Sequence, residues 1–398
     1  MEFRYSDKTL GMRPSIIREL LKQMSDPQLI SFAGGNPAAD SFPAGEIRSF
    51  SDRLLAEDPV GMLQYSVTEG YGPLREACRA FADRKWPVVK GADEVVITSG
   101  SQQVIEFMAK LLCNEGDVVA VEEPAFLGAY NSIRSFGAVL RGVPLEPDGV
   151  DLNALEAAFA AEPRPKFFYC IPNFQNPTGY TTSEEKRKAI YRLAVKYGVP
   201  VLEDDPYGAL RICGEDVPPI KHFDECGAVV YAGSFSKILC PGMRLAFCAG
   251  QKDFITKLVT AKQGSDVHTN VWAQRVCERI LTQTDMNAHI ARLQAIYRDK
   301  ANYMMEKIDE ELAGAVSYVR PEGGMFLWAK LPAEVPTAAF VQRCLEKKLA
   351  VVPGSAFYTD SGVDQPFVRL NFSTPTKEQI DRGVAIMADV LDELTKPL

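Results

Sequence analysis

Val199-Pro200-Val201-Leu202-Glu203-Asp204-Asp205-Pro206-Tyr207 and Val229-Val230-Tyr231-Ala232-Gly233-Ser234-Phe235-Ser236-Lys237 are the stretches that decide the fold. Each is an apolar run that breaks into polar residues at its C-terminal end. Runs this continuously apolar have no wet face, so they read as strands buried between two layers of helices. Working outward, Val95 to Thr98, Val118 to Glu122, Phe167 to Ile171 and Leu245 to Ala249 repeat the pattern. Ser101 to Leu112 and Ser183 to Tyr197 have helical spacing, the second opened by Ser183 with Lys186 and Arg187 on its wet face. The alternation predicts an α/β fold around a mostly parallel sheet. Phe254 to Leu312 is helical in pattern almost throughout. A second set follows: Met325 to Trp328, a helix near Ala338 to Lys348, Phe367 to Phe372 and a terminal helix from Lys377. The expected division is a large domain at 46–285, a smaller α/β domain at 286–398, and an arm at 1–45. That arm carries the turn Gly34-Gly35-Asn36-Pro37 and is able to fold back onto the smaller domain.

Composition narrows the function. A chain of 398 residues, 46% hydrophobic and 24% charged, is globular and large enough for two or three units of about 150 residues. Its formal net charge of -8 leaves no broad basic surface for phosphodiester backbones or anionic membranes. No run reaches the length of a membrane span, and Met1 to Leu10 lacks the apolar core of a signal peptide. The nine cysteines are scattered without a Cys-x-x-Cys pair, which reads as reduced thiols in a cytoplasmic setting. His222, His268 and His289 are too few and too separated for a metal site. The Gly-rich dinucleotide, P-loop, zincin and serine-hydrolase motifs are missing.

What remains is a series of polar residues where predicted strands end, the place at which open α/β sheets hold ligands. Ser99-Gly100-Ser101-Gln102-Gln103 turns from a strand into a helix N-terminus, a setting suited to a phosphate but equally an ordinary helix cap. Asp204 and Tyr207 follow one strand; Ser234, Ser236 and Lys237 follow another, with Arg244 just beyond. Taken singly, Lys237 is a solvated lysine and Asp204 a turn cap before Pro206. Taken together, the apolar surroundings of Lys237 depress its pKa and make a nucleophilic amine beside an acid, a phenol and hydroxyls. Arg369 sits inside the apolar run Phe367 to Phe372, where it needs an anion: a protein carboxylate or a ligand carboxylate.

This set resembles the class I pyridoxal phosphate aminotransferases of fold type I over nearly the whole chain. The motifs that carry the resemblance are Asn176-Pro177-Thr178-Gly179, Asp204 with Tyr207, Ser234-x-Ser236-Lys237 with Arg244, and Arg369. Ile30 to Pro37, Leu63-Gln64-Tyr65-Ser66 with Glu69-Gly70-Tyr71, and Ser99 to Gln103 are most similar to the 2-aminoadipate and kynurenine aminotransferase branch. The resemblance implies a large domain with a mostly parallel sheet of the seven-stranded type between helices, plus a smaller α/β domain. It implies that Lys237 bonds to the aldehyde of pyridoxal 5'-phosphate, that Asp204 pairs with the pyridine nitrogen, and that Tyr207 and Asn176 bind the phenolic oxygen. Ser101, Gln102, Ser234, Ser236 and Arg244 would hold the phosphate, Phe126 would stack on the ring, and Tyr65 would come from the neighbouring subunit of a homodimer. Many relatives have tyrosine in place of Phe126, which keeps the stacking but removes a hydroxyl contact. Arg369, Asn176 and Gly35 would meet the substrate α-carboxylate, and Arg18 a distal one.

The implied reaction carries an amino group from an acidic or aromatic L-amino acid to a 2-oxo acid such as 2-oxoglutarate in a ping-pong cycle, with Lys237 as general base. Other uses of the same residues stay open at this point. A lyase or decarboxylase shares the cofactor and differs in which bond the substrate presents. An effector-binding regulator would need a DNA-binding module, and only about 30 residues precede the first matched motif, in an acidic chain. A noncatalytic scaffold would have lost the lysine or aspartate.

Overall fold

The computed structural model describes residues 3–10, 28–312 and 314–396. Arg18 lies outside the described residues. The strands, in chain order, are β1 (Ile30–Ser31), β2 (Asp93–Thr98), β3 (Val118–Glu123), β4 (Val139–Glu146), β5 (Gly149–Val150), β6 (Phe168–Cys170), β7 (Val201–Asp205), β8 (Val229–Ser234), β9 (Ala246–Gln251), β10 (Ser317–Tyr318), β11 (Phe326–Lys330), β12 (Leu349–Ala350), β13 (Val352–Pro353) and β14 (Phe367–Asn371).

One eight-stranded sheet has the order β2-β9-β8-β7-β6-β3-β4-β5. Its centre, β8-β7-β6-β3-β4, is parallel, and β5 is a two-residue edge piece paired antiparallel to β4. The run Leu245 to Ala249 forms β9, which is antiparallel to both its neighbours. Strand β4 escapes the sequence reading because its residues are largely half-buried or exposed and it never becomes a continuous apolar run. The strand expected from Val199 starts two residues later. Pro200 has no N–H to donate and contributes only its carbonyl, which accepts from the Phe168 amide at 2.9 Å.

Helices close both faces of this sheet, so β3, β7 and β8 are almost wholly buried. Helix Glu184–Tyr197 is capped by the Ser183 hydroxyl and ends on Gly198 in the left-handed conformation, as its sequence requires. Its Lys186 and Arg187 are a correction: both are buried, not on a wet face. Arg187 turns inward onto the carbonyls of Thr182, Pro172, Val217 and Pro218 and the side-chain oxygen of Asn173. Helical spacing alone had set the charged residues outside, and a cradle of carbonyls assembled from distant loops overrides it.

A second, antiparallel sheet has the order β10-β11-β14-β13. In the described part of the arm, β1 pairs in parallel with β12, and the Asn371 amide donates to the Phe32 carbonyl at 2.8 Å. This backbone bond brings Ala33 to Asn36 beside the end of β14. An isolated bridge, Arg211 to Gly323, ties the loop after β7 to the turn before β11. These links place the C-terminal ends of β6, β7 and β8 opposite Gly35, Phe326 and Arg369.

Candidate active site

A cavity of about 250 Å³ opens where the parallel strands end. Lining it are Lys237, Asp204, Tyr207, Asn176, Ser101, Gln102, Phe126, Ser234, Ser236, Arg244, Arg369 and Gly35, each singled out from the sequence. Ile171, Pro206, Pro241 and Phe326 also line it and were not foreseen. Tyr65 is not brought into this cavity. It is 81% exposed, and its ring stands edge-on to His268. The histidines take the structural roles read for them, His289 bonding the Ile238 carbonyl at 2.6 Å and His268 the Thr269 carbonyl at 2.9 Å.

Strand ends deliver the polar groups. Lys237, three residues past β8, is half-buried; its Nζ donates to the Gly35 carbonyl at 2.6 Å. Burial first, then the positive charges of Arg369 and Arg244, depress its pKa to about 8. Asp204 is fully enclosed near the end of β7. Its Oδ2 accepts from the Tyr169 hydroxyl at 3.0 Å, while Oδ1 is buried without a partner. Burial, helped by the negative charge of Asp205 and opposed by hydrogen bonding from Tyr169 and a weaker pull from the Ser101 hydroxyl, pushes this carboxyl up to about 7.

Arg369 is buried on β14 between the rings of Phe326 and Phe357, 4.3 and 4.9 Å from their centroids. It donates to Asn176 Oδ1 at 2.9 Å and to the Ala33 carbonyl at 2.6 Å, and its Nε has no partner. No carboxylate among the described residues forms an ion pair with it, so of the two readings of its sequence the protein carboxylate is not the one seen here. Burial lowers its pKa to about 10.

The Asn176 turn is held from below by a residue the sequence did not reveal. Buried Glu122 accepts from the Ile171 amide at 3.0 Å and from Gln175 Nε2 at 3.2 Å. Gln175 in turn accepts from the Thr178 amide and hydroxyl at 3.0 and 2.8 Å. Nothing in the stretch Val121-Glu122-Glu123 marks which glutamate turns inward. Phe326 was missed for a similar reason, being an apolar residue in an apolar strand.

On the other side of the cavity, helix Ser101–Leu112 begins with no side-chain cap. Gly100 before it has φ +88, and a Cβ there would lie 2.3 Å from Arg244 Nη2. Arg244 itself adopts the left-handed conformation, φ 50, with Nη1 3.5 Å from Ser236 Oγ. Uncapped helix N–H groups, Ser101, Ser234 and Ser236, and the Arg244 guanidinium thus gather at one side of the cavity, a setting that suits an anion.

Residues 28–386 match the family model described as aminotransferase class I and II. The chain belongs to this aminotransferase family. It is 39% identical to a 2-aminoadipate transaminase of Thermus thermophilus over 96% of this chain and 95% of that one. It is 36% identical to aromatic-amino-acid aminotransferase 1 of Thermococcus litoralis over 98% and 95% of the two chains. A crystal structure of an α-aminoadipate aminotransferase from Thermus thermophilus, complexed with N-(5'-phosphopyridoxyl)-L-leucine, superposes with a TM-score of 0.90. It has 36% identity, covering 98% of this chain and 97% of that one.

As a member of the family, this aminotransferase uses pyridoxal phosphate, and its cavity fits that group on its own evidence. The lone Oδ1 of Asp204 suits a protonated ring nitrogen, the Lys237 amine suits an aldehyde, and the Gly100–Arg244 cradle suits a phosphate.

Proposed function

We propose that this aminotransferase moves the amino group of an acidic or aromatic L-amino acid, such as 2-aminoadipate, to a 2-oxo acid such as 2-oxoglutarate in a ping-pong cycle. The observation that carries the reading is Lys237: an amine with a pKa depressed to about 8, in one cavity with the open oxygen of Asp204 and the open guanidinium edge of Arg369. Bound pyridoxal phosphate supplies a carbonyl that captures amines and a ring that takes up an electron pair released at the substrate Cα.

The protein's part is orientation and proton transfer. Asp204 Oδ1 would accept the hydrogen bond of a protonated ring nitrogen, with the other oxygen held by Tyr169. Tyr207 and Asn176 would bind the phenolic oxygen; Ser101, Gln102, Ser234, Ser236 and Arg244 would bind the phosphate; Phe126 would stack on the ring. Arg369 grips the substrate α-carboxylate as a fork, with Asn176 and Gly35 beside it. Lys237 Nζ, neutral in a sizeable fraction at pH 7 to 8 because of its depressed pKa, takes the Cα proton as general base.

The donor class is supported by the names of the relatives and by a cavity wall that includes Phe126, Phe326 and Ile171. Arg18 is the proposed partner of a distal carboxylate. A homodimer is supported by Tyr65, which is exposed together with Val60, Leu63 and Val67 in the short segment 60–67. No described helix is long and apolar enough to cross a membrane, and all nine cysteines are free thiols, which fits the proposed cytoplasmic setting.

The test is a panel of amino donors with 2-oxoglutarate. Glutamate and the matching 2-oxo acid are expected, whereas ammonia or CO2 without glutamate would replace this reading with a lyase or decarboxylase. Lys237→Ala should lower turnover by about 10³-fold or more while retaining noncovalent cofactor binding. Borohydride trapping and mass spectrometry should find the cofactor on Lys237 in the wild type, and an adduct on another residue overturns the assignment.

A further inference from the structure

Lys262, in the last turn of helix Lys252–Gln263, is wholly buried yet lines no part of the cofactor cavity. Its ammonium is fully engaged: Gln103 Oε1 at 2.9 Å, Asp266 Oδ1 and Oδ2 at 2.7 and 2.8 Å, and Thr269 Oγ1 at 3.0 Å. Burying a lysine is costly, and packed apolar residues often serve stability as well as a buried ion pair does. What this pair reaches therefore matters more than its own energy.

It reaches the turn that opens the helix Ser101–Leu112. Asp266 Oδ2 accepts from the Ser99 hydroxyl at 2.7 Å and from Gln103 Nε2 at 3.0 Å, and Ser99 Oγ lies 3.1 Å from Thr269 Oγ1. Gln103 Oε1 accepts from the Ser99 amide at 2.9 Å. Ser99 and Gln103 are the two residues that flank Gly100-Ser101-Gln102. Ser101 and Gln102 between them line the cavity and Gly100 abuts Arg244, while Ser99 and Gln103 themselves are bolted to Lys262 and Asp266. Val267, next to Asp266, holds φ 62, a left-handed conformation that strains a β-branched residue. Such strain persists only where neighbours over-determine it, and here Asp266 is held on one side and His268, bonded to the Thr269 carbonyl, on the other. Burial lowers the pKa of Lys262 against the pull of Asp266. In Asp266, hydrogen bonds from Lys262, Gln103 and Ser99 overcome burial and keep the carboxyl below its ordinary range.

We propose that Lys262 and Asp266 are positioning residues for the cofactor phosphate: they clamp Ser99 and Gln103 so that the backbone N–H groups of the turn, the Ser101 hydroxyl and Arg244 converge on one phosphate position. The inference rests on the cavity being the pyridoxal phosphate site. It predicts that the brace acts on the phosphate and not on the ring.

The experiment titrates the apoenzyme by absorbance with pyridoxal phosphate and, separately, with pyridoxal, which has the same ring and aldehyde but no phosphate. Wild type should prefer the phosphorylated form strongly. Lys262→Met and Asp266→Asn should each shrink that preference roughly tenfold while pyridoxal binding stays within about twofold. Ser99→Ala, which removes one hydroxyl and leaves the buried pair intact, should shrink it about threefold and decides the matter if the first two variants do not fold. An unchanged preference in folded variants, even less stable ones, overturns the proposal and leaves the pair a structural tie. Wild-type protein that binds neither compound would overturn the cofactor reading itself, a failure distinct from loss of the brace.

Discussion

Two buried arginine–acid regions lie close together and behave in opposite ways. Beneath the sheet ends, Arg187 and Glu203 are both fully buried. Every donor of Arg187 meets a carbonyl or an amide oxygen, and the two oxygens of Glu203 accept from the Ile220 and Lys221 amides at 2.8 Å each. On the cavity side, Arg369 and Asp204 are buried as deeply, but Arg369 Nε and Asp204 Oδ1 have no partner. Glu203 and Asp204 are adjacent on β7 and therefore point to opposite faces. Burial of a charge is thus no mark of a binding site. An unsatisfied polar atom aimed at a cavity is, because its desolvation is left uncompensated until a ligand arrives.

The sharpest way to break this contrast is to remove the satisfied arginine. Arg187→Met strands several buried carbonyls and should cost about 3–5 kcal/mol of stability, read from the urea midpoint, with the KM for the amino donor unchanged in the folded fraction. A stable variant with a raised KM would mean that Arg187 belongs to the site. Arg369→Lys is the counterpart: the charge stays but the fork is lost. We expect kcat/KM for amino donors to fall about a hundredfold with cofactor affinity and unfolding midpoint nearly unchanged. A large loss of stability there would make Arg369 a structural residue like Arg187.

A further test isolates Asp204 from Glu203, whose carboxyl burial likewise pushes up to about 7. Asp204 is pushed up from 3.8 to about 7, so in the apoenzyme the folded state binds more protons than the unfolded chain across that window. Its contribution is present below pH 3.8 and is lost as pH rises through about 7. Asp204→Asn should therefore flatten part of the fall in apoenzyme stability between those values, and saturating pyridoxal phosphate should abolish the Asp204 share in wild type by supplying a positive partner. Urea midpoints across a pH series measure both. An identical pH slope in the variant would show that Asp204 does not titrate in that range.

Legibility in the sequence followed the same divide. The strand ends were readable because Asp204, Tyr207, Ser234, Ser236 and Lys237 break apolar runs abruptly, and adjacency along the chain fixes adjacency at a strand end. Arg369 was legible as an arginine in need of an anion, but Gly35 and Asn176 were legible only through the resemblance, since chain separation hides the meeting of the three. Phe326, Glu122, Tyr169 and Lys262 were not legible, because each looks like an ordinary residue of its element.

By itself, the order of apolar runs and polar breaks determined the α/β architecture and set Lys237, Asp204 and the Ser99–Gln103 turn at strand ends, since these depend on periodicity and on neighbours within a few residues. Tertiary structure alone decided which charged side chains find every partner and which keep an atom in reserve. That outcome depends on carbonyls and rings contributed by loops far apart in the chain, whose positions are set only when the two sheets pack.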